Sequence, residues 1–285
     1  FALGGDSLSA MSFLSGLDAL SGKETTVSLS FFIHHPTIAE IAQAFSKFVG
    51  DKPVAVTLSD NPMAPTVFLA ASGHGDVVRF QRLADALGTQ CSLVMLQPPL
   101  AASDDPLEQS NLNLAQHYAD AIEAKADREF ILGGFSIGGI AALETAKELT
   151  RRNRAPQRTL LLETIYPCPI LNSARIWLAF VKLVKGLNIL NLNVNGRRLG
   201  AMLSDQGLTS QIEALNVYRA SSFDGPVDLI ISNGLNWLSP VLYRRWKTQL
   251  SKPLRIWRVK GWHGSMFATS NVADLAQAIE KNLHK

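Results

Sequence analysis

The sequence predicts an α/β fold in which a mostly parallel sheet is covered by helices on both faces. From Thr66 onward, short apolar segments alternate with amphipathic ones, and a glycine-rich turn with a central serine joins one such pair. Alternation of this kind is typical of βαβ units, whose parallel strands are buried on both faces. The chain has 285 residues, 47% of them hydrophobic, so it can bury a large core.

Hydrophobic periodicity predicts the elements of this region. The predicted strands are Thr66–Ala71, Ser92–Leu96, Phe130–Leu132, Thr159–Leu162, Val227–Ile231 and Leu254–Val259. The predicted helices are Val77–Leu87, Leu112–Ala126, Ile140–Thr150 and Val272–Leu283.

The turn after the third of these strands is a G-x-S-x-G motif at residues 134–138. A strand that reverses sharply into a helix needs small residues on both sides of the turn, and it holds Ser136 clear of the sheet at a helix N-terminus. The motif in this context predicts a nucleophilic serine on an α/β-hydrolase fold. The alternative is a chance Gly/Ser-rich turn.

A serine nucleophile needs a base, and His263 is the candidate. It lies in a Gly-flanked loop between the last strand and the last helix, where this fold places its base. His74, after the first predicted strand, is the alternative, whereas His117 lies within a predicted helix.

Besides the serine nucleophile and the histidine base, the site should contain a carboxylate that orients the imidazole. Glu163 directly follows an apolar strand, where an unpartnered carboxylate would be costly to bury. The competing position, after the strand that begins at Val227, offers only Asp228, which lies inside that strand. We therefore expect Glu163 to be the acid.

Two backbone N–H groups should stabilise the oxyanion. The residue after the nucleophile, Ile137, is one candidate. The loop after the first predicted strand should supply the other, and we expect Ala71, with Ala70 and Ser72 as its neighbours.

One interval breaks the alternation, since no strand is predicted between Glu163 and Val227. Arg175–Lys185 is apolar around most of its circumference, and Gln206–Tyr218 has helical periodicity. An insertion above the active-site edge predicts a helical lid at about 168–222 that covers an apolar acyl chain. A helical cap that only shields the core is the alternative.

Composition restricts the function classes. The net charge is +3 and no basic run suggests nucleic acid. Cys91 and Cys168 give neither a disulfide framework nor a metal site, so we expect reduced thiols, no metal and a cytoplasmic location. No signal peptide opens the chain, and the apolar stretch Ile176–Leu190 contains lysines, so no membrane partner is expected.

Residues 1–49 differ from the rest and predict two small helices, the second capped by Thr37 and Glu40. Such a unit cannot form a stable core alone, so we expect an incomplete domain whose upstream part is missing. Residues 50–65 contain Pro53, Pro62 and Pro65 and predict an extended linker. Ser7 lies at a helix N-terminus that suits a phosphate ester, although Asp6 or Ser7 could simply cap the helix.

FALGGDSL at residues 1–8 and FFIHHPTI at residues 31–38 closely resemble the peptidyl carrier domains of nonribosomal peptide synthetases. The resemblance implies a covalent 4′-phosphopantetheine on Ser7, which holds an acyl or peptidyl thioester. It also implies a phosphopantetheinyl transferase and upstream synthetase domains in the same polypeptide as partners.

Residues 66–285 resemble the type I thioesterase domains that end such synthetases. The matched positions are 70–73, 134–138, Glu163 and His263. Glu163 departs from the family pattern in residue type, since the family most often has Asp at this position. The resemblance implies terminal release of a carrier-bound product by hydrolysis, cyclisation or condensation. An editing thioesterase, a polyketide-type release domain and a non-catalytic binding module are the alternatives.

Overall fold

The computed structural model describes residues 53–71, 77–98, 111–164, 221–235 and 245–283, together with Tyr166, Tyr218 and Tyr243. The strands are β1 (Ala55–Ser59), β2 (Thr66–Ala70), β3 (Ser92–Leu96), β4 (Phe130–Phe135), β5 (Arg158–Leu162), β6 (Val227–Ser232) and β7 (Arg255–Val259). The helices are α1 (Val77–Leu87), α2 (Asn111–Glu123), α3 (Gly138–Arg151), α4 (Trp246–Gln249) and α5 (Val272–Glu280). Short 3-10 helices occupy Asn233–Leu235 and Ser265–Phe267.

The strands form one seven-stranded sheet in the order β1-β3-β2-β4-β5-β6-β7. Neighbouring strands from β3 to β7 pair in parallel, and β1 pairs antiparallel with β3. The six predicted strands and four predicted helices are therefore found at their expected places, with small shifts at their ends. Strand β4 continues to Phe135, so the sheet extends as far as the residue before Ser136.

Strand β1 corrects the prediction that residues 50–65 form a linker. Residues 55–59 belong to the sheet, and the Val56 and Leu58 positions alternate with Thr57 and Ser59. Proline is confined to the ends and edges of sheets because it lacks an N–H donor. Here Pro53 and Pro62 flank the edge strand and do not mark an unstructured segment.

Apolar side chains cover both faces of the sheet. On one face, Phe80 of α1 and Leu275 of α5 pack over the strands, while on the other face Tyr118 of α2 and Leu143 of α3 do so. Trp246 of α4 is fully buried on the α2–α3 side, and its indole N–H donates to the Thr164 carbonyl oxygen at 2.8 Å. Both faces of the parallel strands are thus covered, as the apolar runs predict.

Several predicted features lie outside the described residues, namely the carrier segment 1–49 with Ser7, the alternative base His74, Cys168, and the lid at about 168–222 except for Tyr218, Ser221 and Ser222. Cys91 is buried without a disulfide, and burial raises the pKa of its thiol to about 12. In the described ranges, no helix combines the length and apolarity that a membrane span requires.

Candidate active site

The turn at residues 134–138 joins β4 to α3 and presents Ser136. Ser136 has a φ of 56°, and its N–H donates to the Leu162 carbonyl oxygen at 2.8 Å. A Cβ at Gly134 would lie 2.2 Å from the Gly138 carbonyl oxygen, and one at Gly138 would lie 2.4 Å from the Ala70 carbonyl oxygen. Both positions therefore require glycine, and the left-handed backbone at Ser136 is strain maintained by the surrounding structure.

His263 lies in the loop between β7 and the 3-10 helix Ser265–Phe267. Its Nε2 is 3.1 Å from the Ser136 hydroxyl oxygen. The Ser265 hydroxyl oxygen accepts the backbone N–H of Trp262 at 2.8 Å, and the Ser265 carbonyl oxygen accepts a side-chain amide N–H of Asn271 at 2.9 Å. These bonds hold the loop so that the imidazole faces the serine.

Glu163 directly follows β5 and its side chain is fully buried. One carboxylate oxygen lies 3.2 Å from His263 Nδ1, and the other accepts the backbone N–H of Ser232 at the end of β6. Because the carboxylate can only accept, Nδ1 carries the proton and Nε2 is left to accept the Ser136 hydroxyl proton. Glu163 has a φ of 49°, so it also lies in the left-handed region.

The competing carboxylate, Asp228, lies near the amino end of β6, at the opposite edge of the sheet. Arg158 and Arg255 approach it within 2.7 Å and 2.9 Å, and the Trp257 indole N–H donates to it at 2.5 Å. Asp228 is thus buried with its own partners and is remote from Ser136. His117 is exposed on α2, so its imidazole belongs to the surface.

The prediction that the Ala71 N–H is an oxyanion donor is wrong. This N–H extends the pairing of β2 with β3 and donates to the Leu96 carbonyl oxygen at 2.9 Å, so it is not available to an oxyanion. Ala70 lies inside β2, and Ser72, the other neighbour considered, lies outside the described residues. The sequence placed the end of β2 to within one residue but could not determine which N–H groups pair with β3.

Ile137 directly follows the nucleophile at the start of α3. Within the described ranges its N–H has no acceptor, whereas the N–H groups of Gly139 and Ile140 close the first turn onto Ser136 and Ile137. A free N–H at a helix N-terminus next to the nucleophile is suited to hold a developing oxyanion.

Aromatic packing supports the base on the side of β4. The Phe135 ring stacks on the His263 imidazole, with centroids 4.7 Å apart and planes inclined by 30°. The Arg79 guanidinium of α1 lies 5.2 Å from the centroid of the same Phe135 ring. Sequence reasoning treated Phe135 only as the variable residue before the serine, and no motif marked Arg79.

Tyr243 is another residue that sequence reasoning missed. It is buried near Glu163, and among the described residues its hydroxyl has no hydrogen-bond partner. Burial raises the pKa of Tyr243 far above its usual value, and the charge of Glu163 raises it further. The phenol is therefore neutral, and it adds no second negative charge to the site.

The described residues contain no cluster of three or more His, Cys, Asp or Glu side chains that could hold a metal ion. What the geometry provides is a hydrogen-bonded series from Ser136 through His263 to Glu163, with one adjacent N–H donor. Such a series supports nucleophilic acyl transfer through an acyl-serine ester.

Two family models match the sequence. Residues 65–174 match the model described as "Thioesterase domain", and residues 1–45 match the model described as "Phosphopantetheine attachment site". The second match includes Ser7.

Curated relatives are fungal polyketide synthases. "Polyketide synthase 1" of Metarhizium robertsii (strain ARSEF 23 / ATCC MYA-3075) is 29% identical over 183 residues, which covers 58% of this chain and 8% of that protein. "Non-reducing polyketide synthase PKS16" of Cladonia grayi is 26% identical over 196 residues, which covers 59% of this chain and 9% of that protein. The chain thus spans less than a tenth of the length of these relatives.

Solved structures with similar folds include a nonribosomal peptide synthetase and a separate thioesterase domain. A four-domain nonribosomal peptide synthetase, holo-AB3403 bound to AMP and glycine, has a TM-score of 0.65 and 17% identity, and the match covers all of this chain and 24% of that one. The NocB thioesterase domain from the nocardicin cluster, in covalent complex with a fluorophosphonate nocardicin G analog, has a TM-score of 0.60 and 23% identity over 81% of this chain and 99% of that one. At these identities, the similarity concerns the fold.

Proposed function

The chain carries a thioesterase domain and a phosphopantetheine attachment site, and from this premise we propose that it releases the finished product of a multidomain synthase. The observation that carries the proposal is the Ser136–His263–Glu163 hydrogen-bonded series in the same polypeptide as the attachment site. A nucleophile that faces its base, and a base oriented by a buried carboxylate, are the parts that acyl transfer requires.

The attachment site lies outside the described residues. Its sequence matches that of phosphopantetheine attachment sites, and we propose that Ser7 is the modified residue. When bound there, 4′-phosphopantetheine would supply a thiol that presents the acyl group as a thioester.

In the first half-reaction, we propose that His263 Nε2 takes the Ser136 hydroxyl proton while Ser136 Oγ attacks the thioester carbonyl. The Ile137 N–H would hold the oxyanion, and the carbon–sulfur bond breaks as His263 returns the proton to the departing thiol. The product is an acyl ester on Ser136, and Glu163 stabilises the imidazolium that forms transiently.

In the second half-reaction, an oxygen or nitrogen nucleophile gives its proton to His263 and attacks the acyl-Ser136 ester. Water gives a free acid, a hydroxyl or amine of the acyl chain itself gives a ring, and a second acyl chain gives a condensed product. His263 then protonates the Ser136 oxygen as it leaves. The division into two steps lowers the barrier of a single difficult one.

The direct test is intact-protein mass spectrometry after Ser7 has been acylated by a phosphopantetheinyl transferase and a panel of acyl-coenzyme A thioesters. We expect the acyl mass to pass through Ser136 and to be lost as free product. With Ser136→Ala, the acyl group should remain on Ser7, with release slowed at least about a thousandfold. Ser251→Ala, at an exposed hydroxyl distant from the turn, is the control.

Release by Ser136→Ala at the wild-type rate would contradict the proposed mechanism. A chain that is acylated at Ser7 but neither releases product nor reacts with a fluorophosphonate at Ser136 would instead support the non-catalytic alternative. An editing role would appear as rapid release of short, misloaded acyl groups and slow release of long ones.

A polyketide-type product is the second candidate, because the curated sequence relatives are polyketide synthases. The carrier-like residues 1–8 and 31–38 support a peptidyl product, and comparison of kcat/KM for peptidyl and polyketidyl thioesters separates the two. We also propose upstream synthase domains and a phosphopantetheinyl transferase as partners. Since the cysteines suggest no disulfide framework, we propose the cytoplasm as the compartment.

A further inference from the structure

The N-terminal strand brings the polypeptide into the thioesterase domain at the edge of the sheet that carries Ser136. Strand β1 is antiparallel to β3, so its first residue, Ala55, pairs with Leu96 at the carboxyl end of β3. Leu96 pairs with Ala70, and Ala70 pairs with Gly134. These four residues therefore form one row across the sheet.

Pro53 and Ser136 both lie two residues beyond this row, at the same edge of the sheet. Pro53 precedes Ala55 by two residues, and Ser136 follows Gly134 by two. The order β1-β3-β2-β4 separates them by three inter-strand spacings. At the usual spacing, the two positions are about 14 Å apart across the sheet. A chain that reached the domain through a first strand parallel to β3 would instead start at the opposite edge of the sheet, away from Ser136.

One buried side chain holds the polypeptide at this point. The Gln97 backbone N–H donates to the Val54 carbonyl oxygen at 2.9 Å, and the Gln97 side-chain amide donates to the Pro53 carbonyl oxygen at 2.8 Å. Gln97 is 1% exposed. Two successive carbonyl groups are thus bound by a single residue at the end of β3.

Burying a side-chain amide costs free energy unless its polar groups are hydrogen-bonded. Among the described residues, no donor reaches the Gln97 Oε1, and the bond to the Pro53 carbonyl oxygen is the side chain's one hydrogen bond there. Gln97 is separated from Ser136 by strand β2, so the bond plays no part in the nucleophile's own geometry. Its effect is to hold Pro53 at this edge of the sheet.

The preceding chain leads to the phosphopantetheine attachment segment at residues 1–45. Eight peptide steps join residue 45 to Pro53, and eight extended steps span at most about 30 Å. A tether of this length raises the effective concentration at Ser136 of an acyl group carried on Ser7.

We propose that Gln97 is a positioning residue for acyl transfer within one polypeptide, and that its amide fixes the point from which the attachment segment reaches Ser136. The inference rests on the proposed function. It separates two activities of the same site: release of an acyl group carried on Ser7 depends on the Gln97 bond to Pro53, whereas cleavage of a free thioester does not.

The test compares two substrates in the full chain. One is an acyl group loaded on Ser7 and followed in a single turnover, and the other is the N-acetylcysteamine thioester of the same acyl group, supplied in solution. Gln97→Met removes the donor but keeps the volume, and we expect it to slow release from Ser7 about two- to fivefold, since one such bond contributes about 1 kcal/mol. The kcat/KM for the free thioester should stay at the wild-type value.

Gln97→Leu is the second variant, because its apolar side chain cannot donate to the Pro53 carbonyl oxygen, and it should show the same selective loss. Gln157→Met, at an exposed glutamine on the opposite edge of the sheet whose amide donates to Glu129, is the control for the same substitution and should affect neither activity.

Equal losses on both substrates would assign Gln97 a purely structural role and overturn the inference. Unchanged release from Ser7 in both Gln97 variants would overturn it as well. If the wild-type chain turns over neither substrate, the proposed function itself fails, and the inference fails with it. The last outcome is distinguishable because it appears before any substitution is made.

Discussion

The ring of Phe135 lies nearly face to face with the imidazole of His263, with centroids 4.7 Å apart and planes inclined by 30°. Phe135 is the last residue of β4, and Ser136 follows it directly. The strand that presents the nucleophile therefore also supports the base. Serine and histidine are coupled through a rigid element as well as through their hydrogen bond.

Phe135→Leu should lower kcat on a free thioester about tenfold and leave KM nearly unchanged. Aromatic stacking contributes about 0.5–1.5 kcal/mol, and its loss lets the imidazole leave the orientation that the serine requires. Steady-state kinetics on one thioester measures both constants. Phe130→Leu, at the other end of the same strand, controls for lost core packing and should leave kcat unchanged. A kcat within twofold of wild type for Phe135→Leu would refute the supporting role.

Glu163→Gln should reduce kcat about a thousandfold or more, because the neutral amide no longer stabilises the imidazolium and can enforce the wrong tautomer. Pre-steady-state acylation of Ser136 is the measurement. Glu129→Gln, at an exposed carboxylate that binds Gln157, should have no effect. Retention of more than a tenth of the wild-type kcat would remove Glu163 from the proposed mechanism.

Glu163→Asp should be intermediate, with a loss of about ten- to a hundredfold. Aspartate tolerates the left-handed backbone at this position, but its shorter side chain cannot reach both the Ser232 N–H and His263 Nδ1. The same acylation assay measures it, and thermal unfolding separates a folding defect from a chemical one. Full activity in Glu163→Asp would mean that the backbone relaxes to close the gap.

Gly138→Ala should lower the free energy of unfolding by about 2–3 kcal/mol, since its Cβ would lie 2.4 Å from the Ala70 carbonyl oxygen. Urea unfolding followed by tryptophan fluorescence gives the value. Gly88→Ala is the comparison, because Gly88 has a φ of 55° but open space around it, so only backbone strain is added. A smaller loss for Gly138→Ala than for Gly88→Ala would contradict the close approach.

Glu148→Gln should change the acid dependence of stability. Hydrogen bonds from Arg151 and Arg152 lower the pKa of Glu148 from 4.5 to about 2. A carboxylate with a lowered pKa stabilises the fold fully above its unfolded pKa, and this contribution is lost as the pH falls through the folded pKa. The wild type should therefore exceed the variant in unfolding free energy above pH 4.5, and the difference should close towards pH 2.

Solvent screening limits that difference to less than about 1 kcal/mol, because Arg151 is largely exposed. Urea unfolding of both proteins across this pH range measures it. A difference that grows on acidification would have the opposite sign and would exclude Glu148 as the source.

The alternation from Thr66 onward was sufficient to predict the parallel sheet, because each apolar run is long enough to be a buried strand. Ser136, Glu163 and His263 could be predicted because each follows a strand that ends at the same edge. The edge strand β1 was missed, since Pro53 and Pro62 suggested a linker. The positions of the prolines distinguish an edge strand from a linker only when the neighbouring strand is known.

The oxyanion donor shows a different limit of sequence reasoning. The end of β2 was predicted to within one residue, but whether the Ala71 N–H is free or hydrogen-bonded depends on the register of β2 with β3. Register depends on contacts between distant segments, and no local pattern in the small residues after Leu69 encodes it. The stacking of Phe135 on His263 was hidden for the same reason.

The left-handed backbone at Ser136 and Glu163 has a consequence for the history of the domain. Glycine at either position would relieve the backbone strain, because glycine adopts positive φ without steric cost. Glycine would, however, remove the nucleophile from one position and the carboxylate from the other. Stability and chemistry therefore favour different residues at two positions joined by one histidine. A lineage freed from the need for acyl transfer would be expected to drift towards glycine at both, becoming more stable as it lost its activity.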